Sequence, residues 1–361
     1  MGGNIGILHS VSFNKKNIII SKKYIMKIVF VFMRMRISPG DGIVVQALTW
    51  KNLLEKRGHT VDLFNVWDYF DFEQYDIVQI FSYTLNSVHD IQGISMKNKN
   101  IVLAPIIDPQ HSLLYDKMMS YYGIKKPFLA SGGYIIRRLK PFIKGVLVRS
   151  DFEKERIIAA YGYDANNIFK VNLSAGIKYE IGNNTRENFC LHISRIGDPG
   201  KNVKRLIDAS EKYQFKLVIC GQLRSDEAIR QFNKAIKGKH YVEYRGYVSE
   251  EEKIDLCNRA KVFALPSIVE GVGLSALEAA ILGCDIVITS LGGPKEYYSS
   301  LAKVVNPYDV DDIGKGVRYF LDGNTYQPAL SKYINDNFSD DKIAERIENV
   351  YKQILNNCVS K

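Results

Sequence analysis

Apolar residues recur along this chain in short β-branched runs, separated by stretches in which they fall at helical spacing. Residues 26–32 predict a buried strand bounded by polar and turn residues. Helical spacing then runs over 43–56 and stops at Gly58, a residue suited to ending a helix. Further strands are predicted at 61–64, 76–81, 101–107 and 144–149, with helices near 112–122 and 151–161. The alternation restarts at 189–194 and continues through strands at 216–220, 262–266 and 285–289. Helices are predicted at 203–213, from the capping box Ser249/Glu252 to 260, and over 274–283. Pro294 predicts the first turn of another. Strands alternating with helices at this spacing imply α/β architecture with doubly wound parallel sheets. Two such domains are expected, 26–177 and 178–339, joined near 172–184. Residues 1–25 read as an N-terminal extension, with Met26 a candidate start, and a last helix over 340–357 is free to return to the first domain.

Composition narrows the class. A chain of 361 residues with 46% hydrophobic and 24% charged residues has ample apolar surface for two cores, which excludes a disordered chain. No run approaches the ~18 apolar residues of a membrane span, and no export signal is legible, so a cytoplasmic location is expected. The five cysteines are widely spaced without a C-x-x-C pair, and they read as small buried residues rather than zinc ligands or disulfides. Charge is unevenly divided. Residues 1–172 hold 23 Lys and Arg against 14 Asp and Glu, a net of +9, which leaves +1 for the remainder. That bias suggests an anionic partner for the first half.

Two segments carry candidate chemistry. Glu270-Gly-Val-Gly-Leu-Ser-Ala-Leu-Glu278 follows a strand and opens a helix, so Gly271, Val272 and Gly273 would present backbone N–H groups at a positive helix end. Glu270 and Glu278 suit paired sugar hydroxyls, since each carboxylate offers two acceptor oxygens. The plainer alternative is a core helix with a solvated glutamate at each end. The second segment, Ser194-Arg195-Ile-Gly-Asp-Pro-Gly-Lys201-Asn202, sets two cations around a turn at a strand's C-terminal edge. Arg195 and Lys201 match a diphosphate, and a solvated basic turn remains the alternative.

Together these segments resemble the retaining glycosyltransferases of family 4, whose GT-B architecture sets two Rossmann-like domains across a cleft. Glu270 and Glu278 match the E-x7-E motif, and Arg195, Lys201 and Asn202 match the diphosphate turn. Ser290-Leu-Gly-Gly-Pro-Lys-Glu296 resembles the later Gly-Gly-x-x-Glu segment, and Gly40-Asp-Gly42 the N-terminal glycine loop. Arg57-Gly-His59-Thr-Val61 and the segment Val148 to Arg156 match two first-domain segments. Val272 stands where the family often has Phe, and Asp41 where it often has Gly.

The resemblance implies metal-independent transfer of a hexose-type sugar, with retention, from a UDP- or GDP-sugar donor. The acceptor would be a saccharide or lipid-linked saccharide, in cell-surface polysaccharide or glycolipid synthesis. Arg195 and Lys201 would stabilise the leaving diphosphate, Glu278 the ribose, and Glu270 the sugar hydroxyls. Gly42 and residues 271–274 would complete the donor site. Asp108 or His111 would approach the reaction centre, with a surface turn the alternative for both, and Asp108 is named as the candidate; His59 reads as a turn residue. No cofactor is implied, and Asp309, Asp311 and Asp312 read as a helix start rather than a metal set. A nucleotide-sugar epimerase of the same architecture is the alternative enzyme. A basic nucleic-acid-binding protein is the alternative from another class, although no nucleic-acid motif is present. Residues 125–144 interleave Lys and Arg with Phe, Tyr and Ile. They read either as a segment lying on an anionic membrane surface, which would make the protein peripheral, or as a solvated basic loop with its aromatics turned into the core.

Overall fold

The computed structural model describes residues 24–33, 42–84, 86–108, 111–123, 131–177 and 186–356. Most of the extension 1–25, the loop residues Gly40 and Asp41, Lys125, Lys126 and Cys358 therefore lie outside the described residues.

The first sheet contains β1 (Lys27–Phe32), β2 (Thr60–Leu63), β3 (Ile77–Phe81), β4 (Ile101–Ala104), β5 (Gly145–Val148) and β6 (Ile168–Lys170), in the spatial order β2-β1-β3-β4-β5-β6. Every pairing is parallel. Helices α1 (Gly42–Lys56), α2 (Ser87–Lys97), α3 (Leu113–Tyr122), α4 (Gly132–Leu139) and α5 (Asp151–Ala159) belong to this half. The second sheet contains β7 (Glu187–Ile193), β8 (Leu217–Cys220), β9 (Val242–Gly246), β10 (Ala260–Leu265), β11 (Asp285–Thr289) and β12 (Lys303–Val305), ordered β12-β11-β10-β7-β8-β9. It too is parallel throughout. Its helices are α6 (Val203–Tyr213), α7 (Asp226–Ile236), α8 (Glu250–Arg259), α9 (Leu274–Ile281), α10 (Val310–Leu321) and α11 (Ala329–Phe338). The central strands β3, β4, β5 and β11 are buried at every position, as parallel strands covered on both faces must be.

Strand order reverses beside β1 in the first sheet and beside β7 in the second, and open α/β sheets gather ligands at such points. The turns carrying Arg195, Lys201 and Glu270 leave the C-terminal ends of β7 and β10, which are adjacent strands.

The last helix, α12 (Asp340–Asn356), returns to the first half and packs on α1. Tyr351 donates to the buried Gln79 Oε1 at 3.0 Å, and Arg57 Nε meets Glu348 Oε2 at 2.6 Å. His59 is buried at this contact, its Nδ1 accepting from Met26 N. It belongs to the turn, as its place in the sequence implied.

Two sequence expectations are corrected. The strand expected over 101–107 ends at Ala104, because Pro105 has no N–H to donate and Ile106 turns the backbone with φ +58°. The helix expected after Pro294 is one 3-10 turn, Pro294–Tyr297, since Tyr297 and Tyr298 are wholly buried and Ser299 (φ +53°) redirects the chain. Within the basic segment, Ile135, Ile136 and Leu139 of α4 enter the first domain's core. Phe128 and the lysines at 125 and 126 of that segment lie outside the described residues. Asp309 does cap a helix, accepting from Asp311 N and Asp312 N. Cys190, Cys220, Cys257 and Cys284 are free and buried.

Candidate active site

A cleft of about 1360 Å3 runs between the two sheets, lined from one side by Gly42, Asp108, His111 and Arg149 and from the other by Arg195, Lys201, residues 270–275 and Glu278. Each site residue inferred from the sequence lines it, so the structure gathers residues from positions 42 to 278 into one space.

The diphosphate turn is built locally. Asp198 Oδ1 accepts from Gly200 N at 2.9 Å, closing the short turn Pro199–Lys201. Asn202 adopts a left-handed conformation and ties that turn to Pro266 O (2.8 Å) and Pro307 O (2.6 Å). Lys201 Nζ is thereby placed 2.7 Å from Glu270 Oε2, with the two side chains 15% and 13% exposed. Tertiary pairing thus makes Lys201 a largely buried cation, not the solvated basic turn that the sequence left as the alternative. Arg195 remains exposed and meets Asp198 at 3.1 Å.

Behind this turn His192 is wholly buried, its Nδ1 2.8 Å from Ala264 O and its Nε2 2.7 Å from Ser194 Oγ. Burial first, and then the nearby Lys201 cation, push the imidazole down to about 4, against the Ala264 carbonyl. The ring is a neutral strut at neutral pH.

Helix α9 opens at Gly273, whose φ of +77° favours glycine. A Cβ there would also approach Leu265 Cδ2 to 3.0 Å. Near the end of the cleft lined by α8, Glu278 Oε2 meets Lys253 Nζ at 3.0 Å, while Lys253 also reaches Glu250 at 2.6 Å. Burial raises the Glu278 carboxyl above its ordinary range, and the Lys253 charge opposes that shift.

From the first domain, Asp108 and His111 both border the cleft. Asp108 is bound by Arg149 at 3.1 Å, whereas the His111 ring lies against Tyr115 at 4.5 Å. Arg149 is a site residue that the motif analysis did not single out. Its signals were a charge ending an apolar strand run and a glutamate four residues on, Glu153. Burial alone would lower the Arg149 guanidinium's proton affinity, but Glu153 and Asp108 outweigh it and hold the group charged. Among the described residues, no three His, Cys, Asp or Glu side chains form a metal-holding group, and no helix is long and apolar enough to cross a membrane.

The chain's likenesses agree with this geometry. Residues 176–352 match the family model described as glycosyl transferases group 1. O-antigen chain mannosyltransferase B of Escherichia coli is 26% identical over 206 residues, 51% of this chain and 53% of that protein. The chain spans about half the length of the first curated relatives it matches. A glycosyltransferase from Rickettsia africae superposes with a TM-score of 0.69 at 17% identity, covering 93% of this chain and all of the other. Anabaena HepE, solved with UDP and glucose, gives 0.67 at 15% identity over 91% of this chain and all of its own. The chain therefore has the GT-B fold, with its residues 176–352 similar to the group 1 glycosyl transferases.

Proposed function

We propose that the protein transfers a hexose-type sugar, with retained anomeric configuration and without a metal ion, from a UDP- or GDP-sugar to a saccharide or lipid-linked saccharide in cell-surface polysaccharide or glycolipid synthesis. The observation that carries this reading is the Lys201–Glu270 pair, a largely buried cation and anion meeting at 2.7 Å inside the cleft. A donor diphosphate would draw Lys201 away from Glu270 and join it to Arg195, placing two positive charges where the leaving group gains negative charge. Glu270, released from its partner, would then accept from the donor sugar's hydroxyls. Glu278 would take the ribose hydroxyls, and the bare backbone at 271–274 would admit the sugar closely. The family match over 176–352 and the mannosyltransferase relative support the same reaction class.

A lipid-linked acceptor has separate support. On α3 the residues Leu114, Met118 and Tyr122, spaced along one helical face, are exposed, whereas Asp116 and Ser120 turn inward to Arg156 and the Ala160 carbonyl. An outward apolar face beside the cleft residue Tyr115 suits the lipid of such an acceptor, on a cytoplasmic membrane face.

The test is a thermal-shift screen across UDP, GDP and ADP, then transfer assays with sugars on the nucleotide that stabilises. Binding of one nucleotide, turnover that survives EDTA and an NMR-assigned retained product are expected. Loss of activity on chelation with recovery on added Mg²⁺, or an inverted product, would overturn the metal-free or retaining part. Binding to liposomes should fall when Leu114, Met118 and Tyr122 become Ser together; equal binding by this variant rejects α3 as the lipid face.

A further inference from the structure

Arg149 is 8% exposed and directly follows the strand β5, immediately before the α5 cap Ser150. Its Nη2 donates to Asp108 Oδ1 at 3.1 Å and to Ile107 O at 3.2 Å, and its Nε to Glu153 Oε2 at 3.1 Å. Glu153 has further partners: Oε1 accepts from Ile107 N at 2.7 Å and Oε2 from Arg149 N at 2.8 Å. Asp108 stands differently. Its carboxylate is 42% exposed and borders the cleft, with the Arg149 fork behind it.

Across the seam lies Gly271 of the α9 loop. A Cβ on Gly271 would stand 2.3 Å from Asp108 Oδ1 and 2.8 Å from Arg149 Nη1. A side chain here would have to displace Asp108 or Arg149, so the first domain's carboxylate and the second domain's loop are fitted to each other by space rather than by backbone conformation. Two carboxylates around one guanidinium also leave the cluster net negative, with the excess at Asp108 on the cleft side.

We infer that Arg149 is a positioning residue that holds the Asp108 carboxylate against the Gly271 loop, as the anionic group facing the sugar carbon from which the diphosphate leaves. This rests on the transfer reaction proposed above. As the bond to the diphosphate breaks, that carbon gains positive charge, and a carboxylate fixed beforehand stabilises it without reorganising. Arg suits the task because its planar fork reaches Glu153 and Asp108 together, which an ammonium cannot do in the same geometry.

A double-mutant cycle on the full chain tests the inference. Asp108→Asn should lower kcat by about 30-fold or more with the donor KM within about 3-fold, and Arg149→Lys should lower kcat about tenfold. Because Arg149 acts through Asp108, the double variant should be no slower than Asp108→Asn alone. Multiplied losses, or an unchanged kcat in Asp108→Asn, overturn the inference while wild-type turnover keeps the reaction. A wild-type chain that consumes no nucleotide-sugar overturns both. If Arg149→Lys fails to fold, Glu153→Gln replaces it, since it keeps one acceptor oxygen, loosens the Arg149 fork and does not line the cleft. The same absence of added loss with Asp108→Asn is expected, and multiplied losses again overturn the inference.

Discussion

Glu296 of the second domain accepts from the backbone N–H of Asp151, at 2.7 Å, across 145 residues of chain. Its other oxygen takes the N–H of Phe152 at 2.9 Å, so a side chain of one domain closes the N-terminus of α5 in the other. One residue on, the Tyr297 hydroxyl donates to Arg149 O at 2.9 Å and accepts from Leu173 N at 3.2 Å. The Gly-Gly-x-x-Glu segment is thus a clasp between the domains, adjoining the strand end that carries Arg149.

Glu296→Ala should therefore cost about 1–2 kcal/mol, because two helix-terminal N–H groups lose an anionic acceptor. Glu296→Gln, which keeps one acceptor oxygen, should cost less. Urea unfolding measures both; equal stability of Glu296→Ala and wild type would remove the clasp.

Lys201→Ala should lower turnover by about 100-fold or more if Lys201 meets the departing diphosphate. It should also destabilise by about 1–3 kcal/mol, since Glu270 is largely buried and keeps Ser267 Oγ, at 3.3 Å, as a hydrogen-bond partner. Parallel kinetics and urea titration check this, and turnover within a few-fold of wild type would contradict the assigned role.

Glu278→Gln should weaken nucleotide binding about tenfold, by loss of charge-assisted bonds to the ribose hydroxyls. The fold should tolerate it, because Lys253 retains Glu250 at 2.6 Å. Calorimetric titration with the stabilising nucleotide decides; unchanged affinity would place the ribose elsewhere.

His192 makes stability depend on pH. In the unfolded chain it binds a proton below about 6.5, but in the native protein only near 4. Unfolding therefore takes up a proton between those values. The stabilisation is complete above pH 6.5 and falls as the solution is acidified toward 4, by up to about 3 kcal/mol at 1.36 kcal/mol per pH unit. His192→Gln should flatten that part of the stability curve; an unchanged slope would show that another group carries it.

Much of the architecture was legible along the chain because it is written in local periodicity. Buried parallel strands such as 77–81 and 285–289 are unbroken apolar runs, and the helix ends at Gly58 and Ser249 follow local turn and cap chemistry. The weakly patterned elements escaped it. Strand β9 lies at the sheet edge and is only half-buried, β6 and β12 have three residues each, and α2 has few apolar positions to mark a face.

The site divides in the same way. Arg195, Lys201, Glu270 and Glu278 were identifiable because glycine turns and helix starts mark them within a few residues. Their pairing was not, since Lys201 meets Glu270 across 69 residues and Lys253 meets Glu278 across 25. Arg149 was legible only as a charge ending an apolar run. Its junction of Asp108, Glu153 and Gly271 exists only where two separately folded sheets meet. Local sequence sets what each segment prefers, through backbone conformation and the period of apolar side chains. Which distant charges neutralise each other, and which glycine must lack a Cβ, follows from packing one domain against the other, because Coulombic and steric terms depend on distance in space rather than separation along the chain.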